Sequence, residues 1–260
     1  TNFMQVRAKK FLGQHFLTDK NIAQKIVMAL QTSQGHILKV LEVGPGMGVL
    51  TDFMVNNPLL SLSVIDIDRE SITYLEKKYP LLGDRIISGD FLEFSFDKIV
   101  KPGETFAVIG NFPYNISSQI LFKVIDNKEK VNQVVGMFQK EVAQRIASKA
   151  GSKVYGILSV LMQTFFDIEY LFDVPPGCFK PPPKVMSGVI KLTHKQGLIA
   201  VHDKKKFKQL VKAAFNQRRK TLRNALKGTL EPGALLDPMM EKRAEQLSVE
   251  DFLYLHKTYQ

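Results

Sequence analysis

The stretch LEVGPGMGVLT, residues 41–51, decides how the rest of the chain is read. An apolar run from Ile37 enters it, glycines stand at 44, 46 and 48, and a helical pattern follows. Glycine in a strand-to-helix turn lets the backbone bend tightly and lets a ligand approach without a Cβ in the way. The dinucleotide fingerprint needs a third glycine at position 49, which is valine, and no Gly-Lys-Ser/Thr follows. The turn is therefore neither a pyrophosphate cradle nor a phosphate loop. It is either a purely structural turn or the backbone of a different nucleotide-like site.

Working outward, strand and helix patterns alternate. LSLSVID, Leu60 to Asp66, reads as a second strand, followed by a helix with Ile72 and Leu75 facing inward that stops before Pro80. RIISGDF, TFAVIGNFPY and VVGMFQK supply three more strands, and KEVAQRIAS a further helix. Such alternation predicts a mostly parallel sheet covered on both faces, an α/β, Rossmann-like fold. Upstream lies a basic arm, with Arg7, Lys9 and Lys10 and no acid in the first eighteen residues, then a helix from about Asp19. After Lys153 the pattern changes. YGILSVLMQTFF reads as a buried helix, and IEYLFDV and VMSGVIKL, joined through PPGCFKPPP, as an antiparallel edge pair on the sheet. THKQGLIAVHD reads as a linker, and from Asp203 only helical pattern remains. The expected organisation is a ligand-binding catalytic domain over 1–195, arm included, and a small all-helical domain over 196–260.

Composition narrows the function. The chain has 260 residues, 45% of them hydrophobic, and a formal net charge of +11. That excess points to a polyanionic partner. No apolar run approaches the roughly 18 residues of a membrane span, so no membrane role is expected. The N-terminus has no secretory pattern. Cys178 is the single cysteine, which excludes an internal disulfide framework and a cysteine-based zinc site. No metal is expected, and the setting expected is the reducing cytoplasm.

The second strand ends in Asp66, at the spacing from Gly44 at which an acid accepts from ribose hydroxyls. Asp90, after the third strand, is placed to accept from an adenine amine. The alternative for each aspartate is helix capping. Taken with Gly44 and Gly46, they describe a site for an adenosine with no pyrophosphate, which fits S-adenosylmethionine. VIGNFPYNISS, residues 108–118, then supplies the chemistry. An exocyclic amine is a poor nucleophile because its lone pair is delocalised into the ring. The Asn111 side-chain carbonyl and a backbone carbonyl of Phe112 or Pro113 can accept its hydrogens and draw density onto nitrogen. Pro113 fixes the backbone, and Tyr114 offers a flat surface for the base. Ser117 and Ser118 read as caps of the next helix. Methylation at pyrimidine C5 is disfavoured, since it needs a cysteine nucleophile and Cys178 lies elsewhere.

The blocks KKFLGQHFL, LEVGPGMGVLT, VIDID, GDFL, GNFPYNISS, FQKEVAQRI, SKVYGILSV, VPPGCFKPPPKVMSGVI and AAFNQRRKTLRNAL, in that order, resemble the small-subunit ribosomal RNA adenine N6,N6-dimethyltransferases over nearly the whole chain. The resemblance implies a class I methyltransferase fold, S-adenosylmethionine as methyl donor, and dimethylation of two adjacent adenosines in the 3′-terminal hairpin of small-subunit rRNA. It also implies an immature 30S subunit as partner, with the enzyme acting as a monomer. Cofactor contacts carry over to His15, Leu17, Gly44, Asp66, Asp90 and Asn111, and the catalytic pocket to Asn111, Pro113 and Tyr114. Phe179 matches an aromatic that sandwiches the flipped base against the tyrosine. The chain departs from the family pattern at His15, where asparagine is usual, at Phe112, where leucine is common, and at Asp66, often glutamate. Two other readings compete: a large-subunit rRNA adenine methyltransferase, and a non-catalytic RNA- or DNA-binding assembly or transcription factor. FNQRRKTLRNAL speaks against the first, and the intact Asn111–Tyr114 and Gly44/Asp66/Asp90 sets against the second.

The segment Asp203–Lys227 carries ten Lys/Arg against one Asp. Leu210, Val211, Phe215, Leu222 and Leu226 form its inward face. Arg218, Arg219, Lys220 and Arg223 are the expected RNA contacts.

Overall fold

The computed structural model describes residues 6–33, 35–195, 201 and 203–259, without the side chain of Lys10. Seven strands form one sheet: β2 (Leu38–Val43), β3 (Leu60–Asp66), β4 (Ile86–Ser88), β5 (Phe106–Asn111), β6 (Val131–Gln139), β7 (Phe166–Val174) and β9 (Ser187–His194). Their order is β4-β3-β2-β5-β6-β9-β7. The pairings from β4 to β6 are parallel, and β9 runs antiparallel to β6. A separate two-stranded sheet joins β1 (Phe16–Leu17) to β8 (Phe179–Lys180), with Leu17 opposite Phe179. The late strand pair does lie at one end of the sheet, but the antiparallel β9 sits one place inside and β7 takes the edge.

The helices follow from the apolar spacing and the capping residues. Helix α1 (Lys20–Met28) buries Ala23, Ile26 and Val27, and the Asp19 side chain accepts from Asn21 N and Ile22 N at its start. Helix α2 (Thr51–Met54) leaves the glycine turn, and α3 (Arg69–Lys78) is capped by Asp68, which accepts from Glu70 N. Helix α4 (Ser117–Asp126) has Ile116 at its cap position and no side-chain cap. The Ser117 hydroxyl instead donates back to the Tyr114 carbonyl at 3.2 Å. The serines thus do not cap this helix; Ser117 braces the loop before it. Helix α5 (Lys140–Ala147) follows β6 directly.

Both sheet faces are apolar because helices cover them, so the central strands read as near-continuous hydrophobic runs. Val40, Val64, Ala107, Ile109, Val135 and Val189 are fully buried or within 1% of it. Burying one such side chain contributes about 1.5–3 kcal/mol.

The chain divides into two compact units, residues 1–143 with 169–194, and residues 144–168 with 195–260. The expected boundary at 196 lies outside the described residues, as do positions 1–5 of the arm and most of the linker. Residues 144–168 fall in the second of these units. They were expected in the catalytic domain, yet helix α6 (Ile157–Phe165) groups with the C-terminal helices α7 (Lys204–Asn216), α8 (Leu222–Ala225) and α9 (Val249–Tyr259). The cause is its composition: Leu158, Val160, Leu161, Met162 and Phe165 are all buried, which needs partners on several sides, and α7 and α9 supply them. In this second unit Leu210, Val211, Phe215, Leu222 and Leu226 face inward as the spacing predicts, and the Phe215 and Phe252 rings stack at 5.9 Å.

Candidate active site

A cavity of about 150 Å³ opens where β2, β3, β4 and β5 end. Gly44 and Gly46 line one wall, and both adopt the left-handed conformation, with φ of 65° and 55°. A Cβ on Gly46 would meet the Phe16 ring at 2.7 Å, whereas one on Gly44 would meet nothing closer than 3.8 Å. Gly46 is therefore required by both conformation and packing, and Gly44 by conformation.

Asp66 closes β3 and lines the same wall. Its carboxylate accepts from Asp68 N at 2.9 Å and from Gly46 N at 3.4 Å, which ties the strand end to the glycine turn. Burial pushes its carboxyl up to about 6, against those bonds. Asp68, two residues on, has the opposite fate: its side chain is fully buried but Lys9 lies 2.6 Å away. Burial opposes ionisation there too, yet the Lys9 ammonium and the bond from Glu70 N hold it below the usual range. Asp90 lines the cavity and accepts from Leu92 N at 2.8 Å, which braces the turn that follows β4. Ile67, Phe91 and Leu92 add apolar surface beside it.

Asn111, Phe112, Pro113 and Tyr114 form the facing wall. Asn111 Nδ2 donates to the His15 carbonyl at 2.7 Å, which leaves its Oδ1 to accept within the cavity. The Pro113 carbonyl accepts from Ile116 N and closes the turn, so the Phe112 carbonyl is the less committed of the two backbone acceptors. The Tyr114 hydroxyl bonds the Ser187 hydroxyl at 2.5 Å, and burial raises the phenol above its ordinary range. Its ring lies 5.4 Å from that of His15. His15 Nδ1 donates to the Pro181 carbonyl at 2.9 Å, since a carbonyl only accepts.

His15, Gly44, Gly46, Asp66, Asp90, Asn111, Pro113 and Tyr114, all singled out in the sequence, therefore come together around one cavity. Two residues do not join them. Leu17 is 4% exposed and borders a smaller adjoining cavity of about 20 Å³. Phe179 is also 4% exposed and belongs to the core, because β8 pairs with β1 and turns its side chain inward. It does not line the cavity beside Tyr114.

Four further contributors carry no signal in the sequence. The arm residues Leu12 and Gly13 form part of the cavity wall, and Ser187 anchors Tyr114 from a distant strand. Glu42, inside the opening motif, is 1% exposed and accepts from the Thr51 hydroxyl at 2.6 Å. Burial, with Asp66 and Asp52 nearby, pushes it up to about 8.

A family model described as ribosomal RNA adenine dimethylase matches residues 5–260. The chain belongs to the ribosomal RNA adenine dimethylase family. A ribosomal RNA small subunit methyltransferase A from Cytophaga hutchinsonii is 55% identical over 252 residues, 96% of each chain. The crystal structure of a dimethyladenosine transferase from Plasmodium falciparum superposes with a TM-score of 0.76 at 28% identity, over 93% of this chain and 96% of that one. That of the 23S rRNA methyltransferase ErmE gives a TM-score of 0.67 at 22% identity, over 94% of this chain and all of that one, and so shares the fold. As a dimethylase-family member with the class I methyltransferase fold, the chain is an enzyme that methylates ribosomal RNA adenine.

The cavity fits the cofactor such an enzyme needs. Two carboxylates suit ribose hydroxyls and an adenine amine, Ile67 and Phe91 suit the purine faces, and left-handed glycines give close backbone approach. Among the described residues no group of three or more His, Cys, Asp or Glu is placed to hold a metal ion, and no helix is long and apolar enough to cross a membrane.

In the second unit the four expected RNA contacts differ. Arg219 and Lys220 are exposed. Arg218 donates to the Lys153 carbonyl and lies 3.9 Å from Glu245, and Arg223 pairs with Glu241 at 2.5 Å.

Proposed function

We propose that this chain transfers methyl groups from S-adenosylmethionine to the N6 amines of two adjacent adenosines in the 3′-terminal hairpin of small-subunit rRNA. It acts as a monomer on an immature 30S particle in the cytoplasm. The observation that carries the reading is the position of Asn111. One of its two amide hydrogens goes to the His15 carbonyl, which fixes the side chain, and its Oδ1 would then serve as the acceptor toward the cavity that Asp66 and Asp90 line.

Bound S-adenosylmethionine supplies an electrophilic methyl carbon on a sulfonium. Asp66 and Asp90 would hold its adenosine, and the glycine turn would lie along the rest. Alignment then counts for more than a strong base. Asn111 Oδ1 and the Phe112 carbonyl would accept the two amine hydrogens and orient the nitrogen lone pair at the methyl carbon. Tyr114, fixed by Ser187 and His15, would carry the ring. Neither acceptor is a base of useful strength, so the displaced proton goes to water. After the first transfer one amine hydrogen remains, and one of the two acceptors is enough to orient the second. The target must leave its stack to reach this wall, at a cost of a few kcal/mol, and stacking on an aromatic recovers about 1–3 kcal/mol. On the second unit Arg219 and Lys220 would meet phosphates directly, with Arg218 and Arg223 adding less because each keeps a carboxylate partner.

The name carried by the Cytophaga hutchinsonii relative supports the small subunit over the large-subunit alternative. The test is methyl transfer from labelled S-adenosylmethionine to unmethylated small subunits and, in parallel, to free large-subunit rRNA. Label confined to N6,N6-dimethyladenosine of the small subunit is expected. Label in the large-subunit RNA alone would replace this reading with the alternative.

A further inference from the structure

On the facing wall Tyr114 is the partly exposed aromatic, since Phe112 beside it is 1% exposed. A second aromatic stands at the rim. Phe11 is 77% exposed on a short 3-10 turn, Lys10–Leu12, and it has no place in the hydrophobic core. Single exposed apolar side chains are ordinary on protein surfaces. What distinguishes Phe11 is how firmly its backbone is fixed beside the catalytic loop.

Asn115, next to Tyr114, donates through Nδ2 to the Phe11 carbonyl at 3.3 Å. Gly13 takes a φ of 64°, and a Cβ there would meet Asn115 Oδ1 at 2.7 Å, so the arm lies directly on the loop. Upstream, Lys9 Nζ pairs with Asp68 at 2.6 Å and Glu70 at 3.1 Å, and Gln14 also donates to Asp68. These bonds hold the turn at both ends. The ring that the turn displays is left to solvent.

We propose that Phe11 stacks on an RNA base next to the adenosine drawn into the cavity, which makes it a substrate-contact residue of the methyl transfer. The inference rests on the proposed rRNA substrate. Phe11 does not line the cavity, so its partner is a neighbour of the target and not the target itself. The surroundings fit nucleic acid: residues 6–18 hold Arg7, Lys9 and Lys10, and Arg7 is exposed while Lys9 is paired with Asp68 and Glu70. Aromatic faces set among cations are how proteins hold unstacked strands without reading sequence. Extruding one base exposes the face of its neighbour, and an aromatic at the rim replaces the lost stacking partner.

The test uses unmethylated small subunits whose 3′ hairpin carries 2-aminopurine beside a target adenosine. The fluorescence of that base reports its stacking. Wild type and Phe11→Trp are expected to quench the fluorescence that extrusion of the target unmasks. Phe11→Leu, which keeps apolar bulk but has no ring, is expected to leave it bright. Its KM for the subunit should rise roughly tenfold, with kcat at saturation, cofactor Kd and thermal stability as in wild type. Equal quenching and equal KM for Phe11→Leu and wild type would overturn the role of Phe11 while leaving the substrate assignment intact. Absence of methyl transfer by the wild-type enzyme would overturn both.

Discussion

On the cofactor side of the cavity the walls are strand ends. Gly44 and Gly46 follow β2, Asp66 closes β3, and Asp90 follows β4. Each group is held by backbone amides within a few residues or across one strand pairing, and the largest influence on the acid that faces inward is burial. On the base side the groups come from far apart in the chain. Asn111 is braced by His15, Tyr114 by Ser187, Asn115 by Phe11, and His15 by Pro181. A sheet edge positions the first set as a consequence of the fold. The second set is assembled from an arm, two loops and an antiparallel strand, so it depends on contacts that no local pattern encodes.

That difference decides which substitutions move which quantity. The largest effect is expected on the base side. Asn111→Ala should lower turnover by roughly 10²-fold or more, the usual loss for one preorganised polar group, while RNA affinity stays within a few-fold. Single-turnover methyl transfer and a filter-binding titration check both halves.

Next comes the basic surface of the second unit. Replacing Arg219 and Lys220 by alanine should flatten the dependence of log affinity on log salt by about 0.7–0.9 per lost phosphate contact. Replacing Arg218 and Arg223 should flatten it less, since both already carry acidic partners. Equal slopes for the two pairs would show that the internal ion pairs break on binding.

A tenfold effect is expected at Asp66. Ribose hydroxyls donate to an ionised carboxylate, and Asp66 ionises at about 6. Cofactor affinity should therefore fall as pH drops through 6 and level off about tenfold lower once the acid is protonated. Asp66→Asn should bind about tenfold more weakly near pH 7.5 and lose this pH dependence. Calorimetric titration across pH 5–8 reads both.

The smallest effect concerns stability. Glu42 has a folded-state value of about 8 against an ordinary 4.5. The folded state thus binds the proton more tightly than the unfolded one, so stability falls as pH rises from 4.5 to 8 and is level above. Glu42→Gln keeps an acceptor for Thr51 and has no charge to bury. Its Tm should exceed that of wild type by several degrees above pH 8 and converge with it near pH 5. Parallel Tm curves would mean that Glu42 is not the titrating group.

Much of the cofactor side was legible in the sequence because strand ends and glycines carry it. LEVGPGMG, VIDID and GDF are local signals whose spacing follows from the sheet, and Gly44, Asp66 and Asp90 meet in the structure as that spacing implies. On the base side only NFPY was legible. Ser187 reaches Tyr114 across 73 residues, and nothing about a serine opening a strand announces that. The surroundings of Phe179 were hidden for a related reason. Its proline-rich loop indicates stiffness, but the pairing of β8 with β1 decides which way the ring turns, and that pairing joins residues 16–17 to 179–180. The placement of α6 in the second unit is a third instance, since an apolar helix shows that it is buried without showing against what.

The division between the two sides is tested most directly by measuring cofactor Kd and saturating kcat side by side for Asp66→Asn and Asn111→Ala at pH 7.5. Asp66→Asn is expected to raise Kd about tenfold and leave kcat within a few-fold. Asn111→Ala is expected to lower kcat by roughly 10²-fold or more and change Kd far less. If both variants moved the same quantity by similar factors, the cavity would be acting as one site, and the assignment of Asn111 to amine activation would fail.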